Sequence, residues 1–286
     1  MQKAFGNGAI GARGLPIPEL VHIAAATGFD CIQIDLPELA RRVIADGQEI
    51  VGDLFQHGVL PGFAGLPIAM LNDEEYERDL ALLPDLVRLA GEFGITRFAS
   101  GVRPGSNDLN YDQQFAFYTE RLKPIGEILG KHGASLGLEF IAPRTYRSQF
   151  THEGIYTMAG ILELSAAVGT GNIGLLLDIW HLYTAHETVA DMANLTADQV
   201  VVVHVNDAPP GIAIDDQQDL TRALPMETGV LEIVPFMERL QAIGYDGPVM
   251  PEPFKKDVSE LAQTDPLAAA RIVARSMDRL WTAAGL

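Results

Sequence analysis

Cysteine is nearly missing from this 286-residue chain: there is one, Cys31, so no intrachain disulfide can form, as expected of a reducing compartment. Cys31 lies in the strand-like run CIQIDL and reads as a small buried apolar residue, not a reactive thiol. Positive charge is scarce too. Twenty Lys and Arg against 38 Asp and Glu leave a net charge of −18, which repels phosphate backbones and anionic membranes and argues against a nucleic-acid or membrane partner. No apolar run approaches the ~18 residues of a membrane-spanning helix. The opening MQKAFGNGAI has no apolar signal core, so a soluble, cytoplasmic protein is expected. Linkers and low-complexity tracts are absent as well, and a single domain over residues 1–286 is the expectation.

Apolar residues are plentiful, at 48 %, enough for one large core. Short runs rich in Val, Ile, Leu and Phe predict strands at 4–10, 31–36, 59–68, 96–102, 135–140, 173–179, 201–206 and 248–254. Amphipathic stretches predict helices at 16–28, 73–94, 111–133, 151–169, 187–195, 230–244 and 265–285, the first with Pro near its start and Gly28 at its end. Strands that are apolar throughout suit a parallel sheet covered on both faces. The alternation at this length suits an α/β fold, a single (β/α)8 TIM barrel. A doubly wound open sheet is the alternative. The early GNGAIGARG does not match its G-x-G-x-x-G turn, and no helix starts where that turn needs one.

In such a barrel the C-terminal strand ends face the active site. The last four predicted strands each end in a polar residue that interrupts an apolar run: Glu139, Asp178, His204 and Glu252. A lone carboxylate in an apolar run is costly unless paired. Taken singly, Glu139 suits an ion pair, Asp178 a helix cap, His204 a hydrogen-bonded core residue and Glu252 a loop anion. Taken together, on successive strands spaced about 4.8 Å apart, three carboxylates and one imidazole call for one divalent metal ion. Mn2+ is favoured, with Mg2+, Co2+ or Zn2+ also suited to such a donor set.

The segments E-F (139–140), LLLDIWHLY (175–183), HVND (204–207) and PEPF (251–254), set on a βα repeat, resemble the xylose isomerase-like TIM-barrel superfamily. That group holds sugar isomerases and epimerases, inosose-processing enzymes, hydroxypyruvate isomerases and endonuclease IV. The resemblance implies that Glu139, Asp178, His204 and Glu252 hold the metal and that Glu139 and Glu252 also exchange protons with substrate. It implies substrate contacts for His181 and for Arg222 in DLTRALP. Two departures stand out. The histidines that a three-zinc endonuclease site needs are missing, and the usual Pro-Gly-x-Gly near the seventh strand reads LPMETG.

The function implied is a metal-dependent isomerase or epimerase of carbohydrate metabolism, moving a proton through a metal-stabilised enediolate. An inosose-type dehydratase starts with the same proton abstraction and remains open. A non-catalytic sugar-binding or regulatory barrel is disfavoured by the intact carboxylate pair. Which sugar or cyclitol is bound is not legible, and homodimer and homotetramer are the assemblies left open. Trp180 and Phe254 are read as pocket walls or core packing, and Arg144 as a substrate contact or a solvated loop residue. Asp207 and Glu227 are expected to orient His204 or Arg222, and His57, His132, His152 and His186 to lie on the surface. The long polar loop at about 207–228 is expected to pack over the pocket and deliver Arg222. Two prolines in DAPPG remove backbone donors, and PEPFKKD has no glycine. Lys255 and Lys256 read as solvated, so an unphosphorylated substrate is expected.

Overall fold

The computed structural model describes residues 1–12 and 14–286 without the side chain of His57, so the expectation for that histidine lies outside the described residues. Eight parallel strands close into a barrel: β1 (Gln2–Phe5), β2 (Cys31–Ile34), β3 (Leu60–Gly65), β4 (Arg97–Val102), β5 (Ser135–Phe140), β6 (Ile173–Asp178), β7 (Val200–Val205) and β8 (Pro248–Pro251). Each strand pairs with its sequence neighbours, and β1 pairs with β8 to complete the ring. The fold is thus a single (β/α)8 barrel.

Alternation along each strand sends one set of side chains inward and the other toward the helices. Ala4, Cys31, Phe63, Ala99, Leu176, Val202 and Met250 belong to one buried cluster, the filling of the barrel. A larger cluster lies between strands and helices, with Phe5, Ile32, Phe98, Phe140 and Val203 facing helix residues such as Leu83, Leu122, Phe236 and Leu280. Burial, with Asp30 nearby, pushes the Cys31 thiol up to about 12, so it is an inert filler. Close approach matters at Gly174. A Cβ there would lie 2.5 Å from the Gln199 carbonyl oxygen, so only glycine lets the segment before β7 come this near β6.

The departures from the sequence reading cluster at element ends. β1 stops at Phe5, and residues 7–10 form a 3-10 turn that ends on left-handed Gly11. An unexpected helix, Leu36–Asp46, follows β2, because Asp35 caps it by accepting from the Glu38 N–H. It buries only Leu36 and Leu39, which is too little apolar signal to see in the sequence. The helix expected at 151–169 begins at Met158, capped by Thr157. Before it, His152–Glu153 pairs with Gly105–Ser106 as a small antiparallel ribbon. The helix expected at 187–195 is a 3-10 segment, Val189–Asn194, and an α-helix, Ile179–Thr184, starts directly at the end of β6. Further short helices, Gln48–Asp53 and Lys256–Ala262, lie outside the expected set. Among the described residues, no helix is long and apolar enough to cross a membrane.

Candidate metal and active site

Four consecutive strands deliver the site. Glu139 is the second-last residue of β5, Asp178 the last of β6, His204 the second-last of β7, and Glu252 follows β8 directly. Register sets Asp178 beside His204, and one ligand atom from each of the four lies within 4.8 Å of the others. Asp178 is fully buried and His204 is 5 % exposed.

Each oxygen of Asp178 has its own work. Oδ1 accepts from the Trp180 N–H (2.8 Å), which caps the helix Ile179–Thr184, and from the Asn206 side-chain amide (3.1 Å). Oδ2 accepts from Arg222 Nη1 at 2.7 Å. His204 Nδ1 stands 3.3 Å from Glu139 Oε1 and 3.4 Å from Glu252 Oε2, ion-pair contacts without hydrogen-bond alignment. Glu139 Oε1, both ring nitrogens of His204 and the Asn206 Oδ1 are buried with no hydrogen-bond partner. Buried polar atoms in this state are expensive. Oxygens and an imidazole nitrogen aimed at one point, and unsatisfied there, fit a divalent cation.

The electrostatics agree. Burial pushes the Glu139 carboxyl up to about 7, even against the pull of His204. Burial works to lower His204, but Glu252 and Glu139 outweigh it and lift the imidazole to about 10. Burial also works to raise Glu252, and His204 and Arg222 outweigh it and hold this carboxyl below its usual range. Carboxylates crowded around a buried imidazole thus make this point attractive to positive charge, a proton or a cation alike.

His181 is buried against the same cluster, its Nδ1 accepting from the Ala142 N–H at 3.2 Å. Burial, then the charge of Arg222, pulls its pKa down to about 3, so the ring is neutral. A neutral ring that accepts at Nδ1 carries its proton on Nε2. Nε2 faces the cluster, with the carboxylate oxygens of Glu139, Asp178 and Asp219 3.9–4.0 Å away, too far to accept. Its nearest neighbour is Arg222 Nη2, another donor, at 3.2 Å.

Arg222 arrives on the loop after β7 and is 5 % exposed. Nη1 reaches Asp178 and, at 3.3 Å, Glu252 Oε2, while Nη2 reaches Asp219 Oδ1 at 3.1 Å. The guanidinium lies over the rings of Trp180 (5.3 Å) and Phe254 (4.8 Å). Trp180 is fully buried, so it is a support for Arg222 and not a wall of open pocket. Phe254 holds a left-handed backbone (φ 40°), a conformation bulky residues avoid.

Three expected residues lie elsewhere in role. Arg144 is largely exposed and pairs with Asp215 at 2.8 Å, which also meets His186 at 2.8 Å. The trio ties together the loops after β5, β6 and β7 and stays out of the cluster. Asp207 touches neither His204 nor Arg222. Its carboxylate instead accepts from the backbone N–H groups of Ala208, Thr228, Gly229, Val230 and Leu231, at 2.8–3.2 Å. Its backbone pairs with Ala223, the neighbour of Arg222. Glu227 accepts from the Leu224 N–H with one oxygen and pairs with Lys255 through the other, so its carboxylate is engaged there and not at His204 or Arg222. His132, His152 and His186 are exposed as expected, and Lys256 is exposed beside Glu260.

Sequence reading gave no role to Asn206, Asp219 or Gly8. Asn206 was visible two residues after His204, at the β period. A Cβ on Gly8 would stand 3.3 Å from Glu252 Oε1, so the turn after β1 leaves room for that carboxylate. Asp219 stands three residues before Arg222, a spacing that signals a contact only on a helix, and this loop is not one. Away from the four strand ends the rim is open: Gln33, Gly65 and Asn7 line a cavity of about 390 Å3, and a Cβ on Gly65 or Gly101 would touch nothing.

Fold and site together define a (β/α)8 barrel with a buried, cation-competent cluster at its C-terminal rim. The chain belongs to the xylose isomerase-like TIM barrel family, whose model matches residues 21–280. An inosose isomerase of Halalkalibacterium halodurans is 26 % identical over 153 residues, 52 % of this chain and 50 % of that protein. The chain thus spans about half the length of the inosose isomerases it matches. A xylose isomerase domain protein from Alicyclobacillus acidocaldarius superposes over the whole of both chains with a TM-score of 0.86 at 25 % identity. The IOLI protein, solved with a bound zinc atom, superposes with a TM-score of 0.79 over all of this chain and 98 % of its own, at 15 % identity, a likeness of fold.

Proposed function

We propose that this chain is a cytoplasmic, divalent-metal-dependent isomerase or epimerase of a small, unphosphorylated keto-sugar or cyclitol, with residues 1–286 acting as one domain. The observation that carries this reading is the convergence of Glu139, Asp178, His204 and Glu252 within 4.8 Å, with Glu139 and His204 unsatisfied. Those four would hold the cation, Mn2+ first among the candidates. Bound there, a divalent cation supplies Lewis acidity that makes a carbon beside a carbonyl more acidic.

The chain's own groups do the rest. Glu139 and Glu252 stand at the two ends of the four-strand arc, and each can take or return a proton at the substrate carbon between them. A carboxyl pushed up to about 7 and one held low are suited to opposite protonation states. His181 offers its Nε2–H to a substrate oxygen, and Arg222 closes the site from the loop side. Lys255 is engaged by Glu227 and Lys256 points to solvent, which supports a substrate without a phosphate.

The test is incubation of Mn2+-loaded protein with inososes and ketoses in D2O. Deuterium should enter one carbon beside the carbonyl, and the product should be an epimer or isomer. No exchange into any member of either class would remove the reading, and loss of water from the product would replace it with a dehydratase.

Cation uptake should also release protons, since a coordinating imidazole must be neutral. His204 is protonated below about 10 and Glu139 below about 7 when no cation is present. Release of about one proton per cation is therefore expected between these values, rising toward about two below the lower one, with affinity weakening as pH falls. Calorimetry in buffers of different ionisation enthalpy reads this directly. A cation taken up at pH 8 without proton release would mean that His204 does not ligate it.

A further inference from the structure

Arg222 contacts two of the four groups that the proposed cation needs. Nη1 lies 2.7 Å from Asp178 Oδ2 and 3.3 Å from Glu252 Oε2. Asp178 Oδ1 is already committed to the Trp180 N–H and Asn206, so Oδ2 is the oxygen it has to offer. A cation entering the cluster meets a guanidinium on that same oxygen, and like charges at such separations repel even through solvent.

A second observation shows that the present contacts are not all good ones. His181 faces a donor at both ring nitrogens, the Ala142 N–H at 3.2 Å and Arg222 Nη2 at 3.2 Å. A neutral imidazole can accept at only one of them. Arg222 also has somewhere else to go. Asp219 accepts through both its carbonyl oxygen (from Nε, 3.0 Å) and its carboxylate (3.1 Å), and it borders a cavity of about 630 Å3 lined by Ile141, Tyr146 and Leu220.

We infer that Arg222 is an internal counter-cation that competes with the metal ion for Asp178 and Glu252, and that metal uptake hands it over to Asp219. The inference rests on the proposed cation site. Arg222 holds the carboxylates apart from one another's repulsion while the site has no ion. When the ion takes them, Nη1 loses its two anions, Asp219 retains the guanidinium, and His181 Nε2 is relieved of a competing donor. Arg222 Nη1 then has donors free for a substrate oxygen, beside the His181 Nε2–H, only after the ion is in place. Ordered assembly, metal before substrate, is built into the ion pairs.

The test uses the full chain and Mn2+ or Mg2+ alone. Arg222→Met keeps the length of the stem over Trp180 and Phe254 and removes the charge. It should bind Mn2+ at least tenfold more tightly than the wild type by calorimetry. Asp219→Asn removes the receiving charge and should bind Mn2+ more weakly, and its effect should shrink in the Arg222→Met background. A spectroscopic readout is independent of affinity. In a Trp281→Phe background the Trp180 emission should change on Mg2+ addition when Arg222 is present, and not in Arg222→Met. Wild type that binds Mn2+ with Arg222→Met binding no more tightly would overturn this inference and leave the metal reading standing. If neither protein takes up the ion, the metal reading falls and the inference with it. Should Arg222→Met fail to fold, Asp219→Asn binding as tightly as wild type, with an unchanged Trp180 response, overturns the inference equally.

Discussion

Glu252→Gln is expected to leave the barrel intact and to lower turnover by about two to four orders of magnitude, the range of general acid–base catalysis, or further if the ion is lost as well. The change replaces one oxygen by an amide of the same size. The backbone at this position is held independently, through the Glu252 N–H to the Val205 carbonyl at 3.1 Å, so the side chain should stay at the rim. What disappears is the carboxylate that sits 3.4 Å from His204 Nδ1 and can carry a proton. Deuterium wash-in should fall in step with turnover, while substrate binding weakens far less. Near-wild-type turnover with a full complement of metal would remove Glu252 from the chemistry.

Asp207→Ala should be the most damaging change outside the cluster. One fully buried carboxylate accepts five backbone N–H groups, all but one of them in residues 228–231. Hydrogen bonds to a charged group are worth about 1.5–3 kcal/mol each and are not additive. Orphaning these donors should cost roughly 3–5 kcal/mol, the upper end for a single substitution. Urea unfolding with an unchanged m-value would measure it. Activity should fall too, because the segment that Asp207 secures carries Arg222. Asp207→Asn keeps part of the acceptor capacity and should fall between. A loss below about 1 kcal/mol, the scale of a single ordinary hydrogen bond, would show that the N–H groups find other partners.

The barrel was legible because its strands are buried on both faces. VVVHVN and IGLLLD announce themselves as apolar runs broken by one charge near the C-terminal end, and that break is what located the cluster. The helix after β2 was not legible, since it owes its existence to the Asp35 cap and buries only two leucines. Arg144 and Glu227 were placed too near the site because sequence neighbours of a ligand are natural suspects. In the fold they turn outward to Asp215 and Lys255. Asp219 and Asn206 show the converse. Asp219 meets Arg222 three residues on in an irregular loop, where spacing predicts no contact, and the strand period puts Asn206 on the side of His204 without naming its partner Asp178 on the neighbouring strand. The acceptance of five N–H groups by Asp207 likewise depends on a turn whose shape is not encoded in any short motif.

The way the loop after β7 is fastened has an evolutionary reading. The antiparallel pairing of Asp207 with Ala223 and the fan of bonds from the Asp207 carboxylate close the segment at its base. Between those points the chain makes a 3-10 turn at Ile214–Asp216 and meets solvent at Leu220, which is 67 % exposed. A base sealed in this way lets the exposed part of the loop change length at little cost, since doubling the length of such a loop costs only about 0.6 kcal/mol in closure entropy. Insertions or grafts belong at the exposed residues 210–213, clear of Asp215, which joins three loops, and of the fully buried Gln217, and a library confined to those positions should change the mouth of the barrel while leaving Glu139, Asp178, His204 and Glu252 in place.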